Sequence, residues 1–253
     1  MSTMAVLALP AGVVIATLVS AVGIGGGILW MPFFLLFLQL PPETAVVTSL
    51  LVQTAGMASG SMAFIRKGAA DLPLAGFLLL LTLPGLALGA LLTRRLSSAN
   101  LELALGILTL TTAFLFVSAN QRYAEQGQDR VPLKHVRQYG AVVSGLATAS
   151  GMLSVSIGEW LVPLMRSRLK LRMRVAVATS IVTIFGTCVA GSALHLLMGA
   201  PTDLKILAWA VPGVLIGGQI GPRVTETINE RVLKELFVFL LTLIGIHLIY
   251  NSY

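Results

Sequence analysis

Four of the five residues from 23 to 27 are glycine, in the run Gly23-Ile24-Gly25-Gly26-Gly27, and an apolar run typical of a helix lies on either side. Glycine lets another group approach the main chain closely. A helix that starts at this run presents unpaired N–H groups and the positive end of its dipole. Both features favour a small anion, as in the glycine-rich loops that bind phosphate. The run therefore predicts an anion-binding site.

A second interruption, at residues 154–159, divides the apolar run 139–165. Serine and threonine hydroxyls can donate hydrogen bonds to an anion held between the two interruptions. The structural alternative is that the glycines let helices pack closely and that the hydroxyls bond to their own helix. The predicted substrate-binding residues are Gly25, Gly26, Gly27, Thr48, Ser49, Gln53, Ser154, Ser156, Gly158, Thr179 and Ser180.

Glu159 is an acidic residue well inside an apolar stretch. Such residues are expensive in lipid and usually functional. Two roles are open for this carboxylate. As a cap, it is favoured at the start of a helix. As a proton-coupling residue, it competes with the anion when charged and permits anion binding when protonated.

The composition is that of an integral membrane protein. The 253 residues are 56% hydrophobic and 11% charged, with a mean hydropathy of +0.91, whereas a soluble domain is about 25% charged. Basic cytoplasmic loops account for the net charge of +7, so no nucleic-acid partner is expected. The sequence shows no metal cluster, nucleotide loop or nucleophile paired with a base. We therefore expect neither a cofactor, a bound metal nor enzyme activity.

The two halves of the chain repeat each other at a constant offset of 131 residues. The aligned pairs include Gly27 with Gly158, Pro32 with Pro163, Thr48-Ser49 with Thr179-Ser180, and Gly68 with Gly199. The polar segment 120–138 separates the halves. We predict a first transmembrane repeat at residues 1–119, a cytoplasmic linker at 120–138 and a second transmembrane repeat at 139–253. Internal duplication in a membrane chain indicates a transporter.

Each repeat contains an interrupted helix pair followed by three spanning helices. If each pair turns back within the membrane, 14 of the 17 Lys and Arg residues fall on one side. If each pair crosses, giving eight spans, the split becomes seven to ten. Because basic loops stay in the cytoplasm, the first arrangement is favoured. We predict an all-α protein of two inverted repeats with re-entrant helix pairs, with the linker inside and both termini outside.

Three stretches of the first half resemble the TauE/SafE sulfite exporter family, also called the toluene sulfonate uptake permeases. They are GIGGGILWMP at residues 23–32, LPPETAVVTS at 40–49, and residues 68–71 before a Leu-Pro-Gly helix. The second half departs from the family pattern, because Glu159 stands where many members have another glycine run. The resemblance implies a multi-pass carrier in the bacterial or archaeal plasma (inner) membrane. Its expected substrates are sulfite, sulfonates or related sulfur-containing or carboxylate anions.

The sequence as a whole predicts a secondary transporter that moves a small anion by alternating access. The membrane potential drives an anion outward, whereas uptake needs protons or sodium as coupling ions. Two alternatives are open: a passive anion channel, and a non-transporting membrane assembly or signalling protein. The predicted partners are the small anionic substrate and the lipid bilayer, and a homo-oligomer is compatible with the sequence.

Overall fold

The structure is a computed structural model, and it describes residues 5–22, 25–118, 127–227 and 230–252. Gly23 and Ile24 of the predicted anion site lie outside the described residues. The regular structure is α-helical, as predicted, with an isolated bridge between Gln128 and Leu171. The helices are α1 (Ala8–Val22), α2 (Gly27–Pro32, continued by a π-helical turn, Phe33–Phe37), α3 (Pro42–Arg66), α4 (Leu72–Thr93), α5 (Ser98–Ser118), α6 (Leu133–Arg137), α7 (Gly140–Leu153), α8 (Gly158–Ser167), α9 (Met173–Leu197), α10 (Leu204–Thr227) and α11 (Glu230–Asn251).

Both predicted interruptions separate two helices in the structure. Gly25 and Gly26, the described part of the first interruption before α2, follow α1 in the chain, and residues 154–157 lie between α7 and α8. The second interruption was predicted at residues 154–159 with a half-helix beginning near Gly158, and α8 begins at Gly158. The Ser156 hydroxyl accepts a hydrogen bond from the Gly158 N–H at 3.1 Å. This bond satisfies one of the N–H groups of the first turn and so stabilises the helix start at Gly158.

The same turn follows α3 in the first half and its counterpart α9 in the second half. Gly68 after α3 and Gly199 after α9 have left-handed φ angles of 61° and 79°, which glycine adopts without steric cost. Asp71 and Asp203 then accept hydrogen bonds from N–H groups in the first turns of α4 and α10. The repeated sequence therefore produces a repeated helix–turn–helix connection.

The outer surface of the bundle is apolar. Among the described residues, Leu72–Thr93 and Met173–Leu197 are long and apolar enough to cross a membrane by length and composition, and shorter apolar helices accompany them. Large apolar side chains are exposed on these and neighbouring helices, including Leu80 (61%), Phe114 (68%) and Leu197 (86%). An exposed apolar surface of this kind favours contact with lipid.

The helix contacts within the bundle follow a two-fold pattern. α1 packs along α10, and α7, the counterpart of α1, packs along α4, the counterpart of α10. α3 and α5 pack against their own counterparts, α9 and α11. Likewise α2 contacts α3 as α8 contacts α9, and α3 contacts α10 as α9 contacts α4. Exchanging the two halves leaves these principal pairs unchanged.

Counterpart helices run in opposite directions. Near the start of α3, Leu50 lies against Gly191 near the end of α9. Towards the end of α3, the Ser61 hydroxyl donates a hydrogen bond to the carbonyl of Ile181, nearer the start of α9, at 3.2 Å. The pairing of α5 with α11 is antiparallel in the same way, since Gly106 contacts Ile249 while later residues of α5 contact earlier residues of α11.

Two pairs of helices that hold different positions in the repeat, α4 with α7 and α1 with α10, run in the same direction. Gly85 of α4 lies against Ser144 of α7, and Gly89, one turn later, lies against Thr148. A Cβ at either glycine would overlap the backbone of α7, so the absence of a side chain permits this close packing. The parallel pairing of α1 with α10 is the corresponding contact in the other half of the bundle.

The loops sort to the two ends of the bundle. At one end, Arg172 pairs with Asp129 at 3.1 Å, and Asp71 accepts a hydrogen bond from the main chain of the linker. At the other end, Arg94 pairs with Glu43 at 3.6 Å. Because Glu43 lies in the first turn of α3 and Asp71 follows its last turn, these two groups of contacts lie at opposite ends of α3.

Candidate anion-binding site

The two helix interruptions contact each other inside the bundle. Gly25 lies against Ser156, and Gly27 lies against the main chain of Ser154. A Cβ at Gly27 would overlap the Ser154 carbonyl oxygen and would lie 2.9 Å from Nε2 of Gln53. Glycine is therefore the residue that permits this approach. The structure brings these predicted site residues together from opposite halves of the chain.

Gln53 connects the two halves through its amide nitrogen. Nε2 lies 3.0 Å from both the carbonyl oxygen and the hydroxyl of Ser154. It also lies 3.2 Å from the Ser49 hydroxyl and 3.3 Å from the Ser49 carbonyl, one turn earlier on α3. The side chain is buried, and within the described residues its Oε1 has no hydrogen-bond partner. Gln53 is thus a donor held at the junction of both interruptions.

The second interruption positions its serines through an unusual backbone angle. Ser154 has a left-handed φ of 56°, a region that few residues other than glycine occupy. This turn presents both the carbonyl and the hydroxyl of Ser154 to Gln53. Two residues further on, the Ser156 hydroxyl accepts from the first N–H of α8. Gly158 then begins α8 in contact with Ser180 of α9.

The repeated Thr-Ser pairs do not have the same contacts in the two halves. Ser49 accepts a hydrogen bond from Gln53, whereas the hydroxyl of Ser180 is buried beside Gly158 with no hydrogen-bond partner among the described residues. Thr179 accepts a hydrogen bond from the Asp71 N–H at 2.9 Å, at the start of α4. Thr48 is buried, and its hydroxyl also has no partner in the described part of the chain.

Glu159 lies in the first turn of α8 and is only 4% exposed. Neither of its carboxylate oxygens has a hydrogen-bond partner among the residues that the structure describes. A capping carboxylate would accept from the free N–H groups of this turn, yet one of these, that of Gly158, donates to Ser156. The repeat aligns Glu159 with Ile28, a fully buried apolar residue. The geometry therefore does not support the capping role.

A small cavity lies on the flank of the first interruption, with a volume of about 30 Å³. It is lined by Gly26, Trp30, Gln53 and apolar or small residues of α1, α3 and α10. A water needs roughly 10–15 Å³ on this measure, so the cavity has room for about two waters. Gly26 lies in the wall of this cavity. A Cβ at this position would lie 3.1 Å from the Trp30 ring.

Asp71 is a structural residue that the sequence interpretation did not place among the site residues. It is 6% exposed and contacts three parts of the fold. Its carboxylate accepts from the N–H of Leu74 at 3.2 Å and of Val131 at 3.3 Å, and its own N–H donates to Thr179. The signal in the sequence was an acidic residue just before a Leu-Pro helix start, which is typical of an N-cap.

Two matching helical halves, an apolar exterior and two facing helix interruptions are the features of a multi-pass membrane transporter. The chain belongs to the sulfite exporter TauE/SafE family, whose family model matches residues 8–248. It is 29% identical over 263 residues to a protein of Bacillus subtilis described as "Probable membrane transporter protein YunE", and this match covers 95% of this chain and 96% of that protein.

Two longer proteins match part of the chain. Both are described as "Probable membrane transporter protein MamO", from Paramagnetospirillum magneticum and Magnetospirillum gryphiswaldense. They are 32% and 31% identical over 107 residues, which cover 40% of this chain and 17% of each MamO protein. No solved structure matches the chain.

Proposed function

We propose that the chain is a secondary transporter that binds small anions, foremost sulfite and sulfonates, between the two interruptions and moves them by alternating access. The observation that carries this proposal is the contact of Gly27 with Ser154 and Gln53. It places a glycine-rich backbone, a helix start and a buried amide donor at one point. Each half of the chain contributes to this point, as alternating access requires.

The groups around the junction are suited to an oxyanion. Nε2 of Gln53 and the hydroxyls of Ser49 and Ser180 are donors, and the positive end of the α8 dipole begins at Gly158, beside Ser180. An oxyanion such as sulfite, a sulfonate or a carboxylate presents only acceptor oxygens at its charged end. The name of the family supports sulfite as the first substrate to test.

We infer that the two halves are inverted repeats. A two-fold axis along the helices would make counterpart helices parallel, whereas α3 with α9 and α5 with α11 are antiparallel. The interrupted pairs turn back within the bundle: Gly158 lies against Ser180 and Ile184, well inside α9, while α8 ends next to the loop from which α9 starts. With the basic loops in the cytoplasm, both chain termini are outside.

Cysteine labelling tests this orientation directly. The chain has one cysteine, Cys188, which is buried, so a Cys188→Ser background accepts new cysteines at the exposed residues Arg95 and Arg168. We expect a membrane-impermeant maleimide to label Arg95→Cys in intact cells, and Arg168→Cys only after permeabilisation. Labelling of both positions from the same side would contradict the inverted arrangement.

We propose that the described conformation is closed at the junction. The hydrogen bonds from Gln53 to Ser154 occupy the donor that an anion would use. The adjacent cavity holds about two waters and not a sulfite ion of four heavy atoms. Substrate binding would therefore exchange the bonds between the two interruptions for bonds to the anion. That exchange couples binding to the relative movement of the two halves.

Replacing Gln53 with leucine tests the role of the amide. We expect sulfite counterflow in proteoliposomes to fall at least about tenfold, because a hydrogen bond to a charged group contributes about 1.5–3 kcal/mol. Gln219→Leu is the matched control, since Gln219 is exposed on α10, and its counterflow should equal that of the wild type. Equal counterflow in Gln53→Leu would remove the amide from the binding site.

Reconstitution of the purified chain tests the transport function itself. The screen uses sulfite, sulfate, thiosulfate, taurine, sulfoacetate and lactate as thermal-shift ligands, followed by counterflow of the best binder. A carrier shows counterflow that saturates with substrate. Fast flux without counterflow would instead show an anion channel. Absence of flux for every binder would show a non-transporting assembly.

We also propose that Glu159 is the proton-coupling residue. Its buried carboxylate lacks the hydrogen bonds of a cap and lies in the first turn of α8, where an anion would also be attracted. Two negative charges at this helix start repel each other. Protonation of Glu159 removes that repulsion, so a proton and an anion would bind together. This favours protons over sodium as the coupling ion.

A further inference from the structure

The internal duplication offers a comparison of the two halves at equivalent positions. Three residues of the second half, Thr183, Thr187 and His195, have polar side chains in the interior of α9 and are buried to 98% or more. Glu159 is also buried, in the adjacent helix α8. At the repeat offset, all four align with residues that have no polar side chain: Glu159 with Ile28, Thr183 with Val52, Thr187 with Gly56, and His195 with Phe64.

These side chains follow one face of α9. At 3.6 residues per turn, Ser180, Thr183, Thr187 and His195 fall within about 120° of the helix circumference. Ser180 lies beside Gly158 and so next to the start of α8, where Glu159 is located. From Ser180 to His195 the face extends for about 22 Å at 1.5 Å per residue. It therefore leads from the junction towards one end of the bundle.

His195 is placed between the interior and a water-exposed ion pair. Its Nε2 lies 2.9 Å from the carbonyl oxygen of Gly151 on α7. A carbonyl only accepts, so Nε2 carries the proton and Nδ1 of the neutral ring is an acceptor. Because α3 and α9 are antiparallel, Glu43 in the first turn of α3 lies at the same end of the bundle as His195 in the last turn of α9. Glu43 pairs with Arg94, and both of these side chains are partly exposed.

Several polar atoms along this route have no hydrogen-bond partner among the described residues. They are both carboxylate oxygens of Glu159, the hydroxyl oxygen of Ser180 and Nδ1 of His195. Unpaired buried polar atoms are costly and uncommon in folded proteins. Thr183 and Thr187 donate to the backbone of their own helix at 2.9 Å, which leaves their oxygens free to accept. Each polar side chain of the route therefore has an atom that can accept a hydrogen bond.

We propose that this face of α9 is a proton pathway from the Glu43–Arg94 end of the bundle, through His195, to Glu159. His195 takes up a proton at Nδ1 and releases it from Nδ1 to water beside Thr187 and Thr183, which carries it to the Glu159 carboxylate, while Nε2 keeps its proton and its bond to Gly151. This inference rests on the proposed function and gives it a direction. Because the Glu43 end is the outer end in the proposed orientation, an inward proton gradient drives anion uptake.

The pathway is interrupted in the described conformation. Between Thr187 and His195 the face consists of Gly191, and Leu50 of α3 packs there, 3.3 Å from the position of a Cβ on this glycine. Movement of α3 relative to α9 would admit water at this point. The gap separates the two ends of the route, so a proton cannot leak through while the junction between the interruptions is closed.

The ionisable groups near this face come from four elements. α3 contributes Glu43, the end of α4 contributes Arg94, and α8 contributes Glu159. α9 itself contributes the buried Cys188. α7 contributes only main-chain and hydroxyl groups, since the range Gly140–Leu153 has no ionisable side chain. The pathway therefore requires that His195 and Glu159 change their protonation states.

The experiment compares the wild type with His195→Phe, which introduces the residue of the first half at the equivalent position. Proteoliposomes contain a trapped pH dye and are supplied with radiolabelled sulfite. For His195→Phe we expect sulfite counterflow without a pH gradient to stay within twofold of the wild type. Sulfite accumulation and dye acidification driven by an inward proton gradient should both fall at least tenfold. His247→Phe, in the last helix, is the control and should behave as the wild type in both assays.

A second variant guards against misfolding of His195→Phe. Thr183→Val with Thr187→Val removes both hydroxyls at nearly constant volume, and it should reduce proton-driven accumulation while it preserves counterflow. Wild-type accumulation in both variants would overturn the pathway but leave the carrier function intact. Absence of counterflow in the wild type would instead overturn the proposed function, and the pathway with it.

Discussion

Replacing Gly27 with alanine is expected to abolish anion transport, with counterflow reduced at least about a hundredfold. The added Cβ would overlap the carbonyl oxygen of Ser154 and approach Gln53 Nε2 to 2.9 Å. The overlapping atom belongs to the backbone, which cannot turn away as a flexible side chain can. The two interruptions must therefore separate, and the junction that would bind the anion is lost. Overpacking of a buried contact costs about 1–3 kcal/mol, so the melting temperature should fall as well.

Gly145→Ala and Gly76→Ala are the matched controls for this prediction. Both glycines are inside helices, and a Cβ at either position meets no atom within 4 Å. Alanine is favoured over glycine in a helix by up to about 1 kcal/mol, so these variants should transport normally and melt at the same or a higher temperature. Counterflow of Gly27→Ala at the wild-type rate would show that the contact of the interruptions has no part in binding.

Glu159→Gln is expected to remove the pH dependence of transport and the ability of a proton gradient to accumulate the anion. Glutamine keeps the size of the side chain and mimics the protonated form. Wild-type uptake should increase as the pH falls, because the neutral carboxyl group no longer repels the anion at the start of α8. In Glu159→Gln, the rate of counterflow should be independent of pH. Accumulation under an inward proton gradient should fall at least tenfold.

Glu102→Gln provides the comparison for this experiment. Glu102 is also an acidic residue in an apolar helix, but it is partly exposed on α5 and lies outside the junction. Its substitution should leave both the pH profile and the accumulation unchanged. The coupling role of Glu159 would be refuted by a pH profile in Glu159→Gln that superimposes on that of the wild type. A loss of counterflow at every pH would indicate a structural role.

The helices of this chain could be predicted because their causes are local. Long apolar runs define the helices, and the glycine run and residues 154–157 interrupt them at the places where the structure has its two breaks. The turns after α3 and α9 follow from Gly68 and Gly199, which both adopt left-handed angles. The start of α8 near Gly158 was also predicted, and the hydrogen bond from the Gly158 N–H to the Ser156 hydroxyl stabilises it.

The candidate site could be predicted in its residue types but not in its contacts. Gln53 was predicted as a substrate-binding residue, and it follows Ser49 by one helical turn, yet its bonds to Ser154 join positions that are 101 residues apart. The two Thr-Ser pairs have the same sequence, but the Thr179 hydroxyl accepts a hydrogen bond from the Asp71 N–H at the start of α4. Identical motifs acquired different partners because their neighbours in the two halves differ.

The sequence by itself determined that this is a duplicated, helical membrane chain with two interrupted helices and an acidic residue, Glu159, within an apolar stretch. Hydrophobicity, the placement of glycines and the repeat offset are read directly from the order of the residues and do not depend on how the helices pack. The tertiary structure decided that the interruptions meet, that Gln53 bridges them, and that Glu159 lacks the bonds of a cap. These depend on the register and direction in which helices from different halves pack, and that information is distributed over the whole interface.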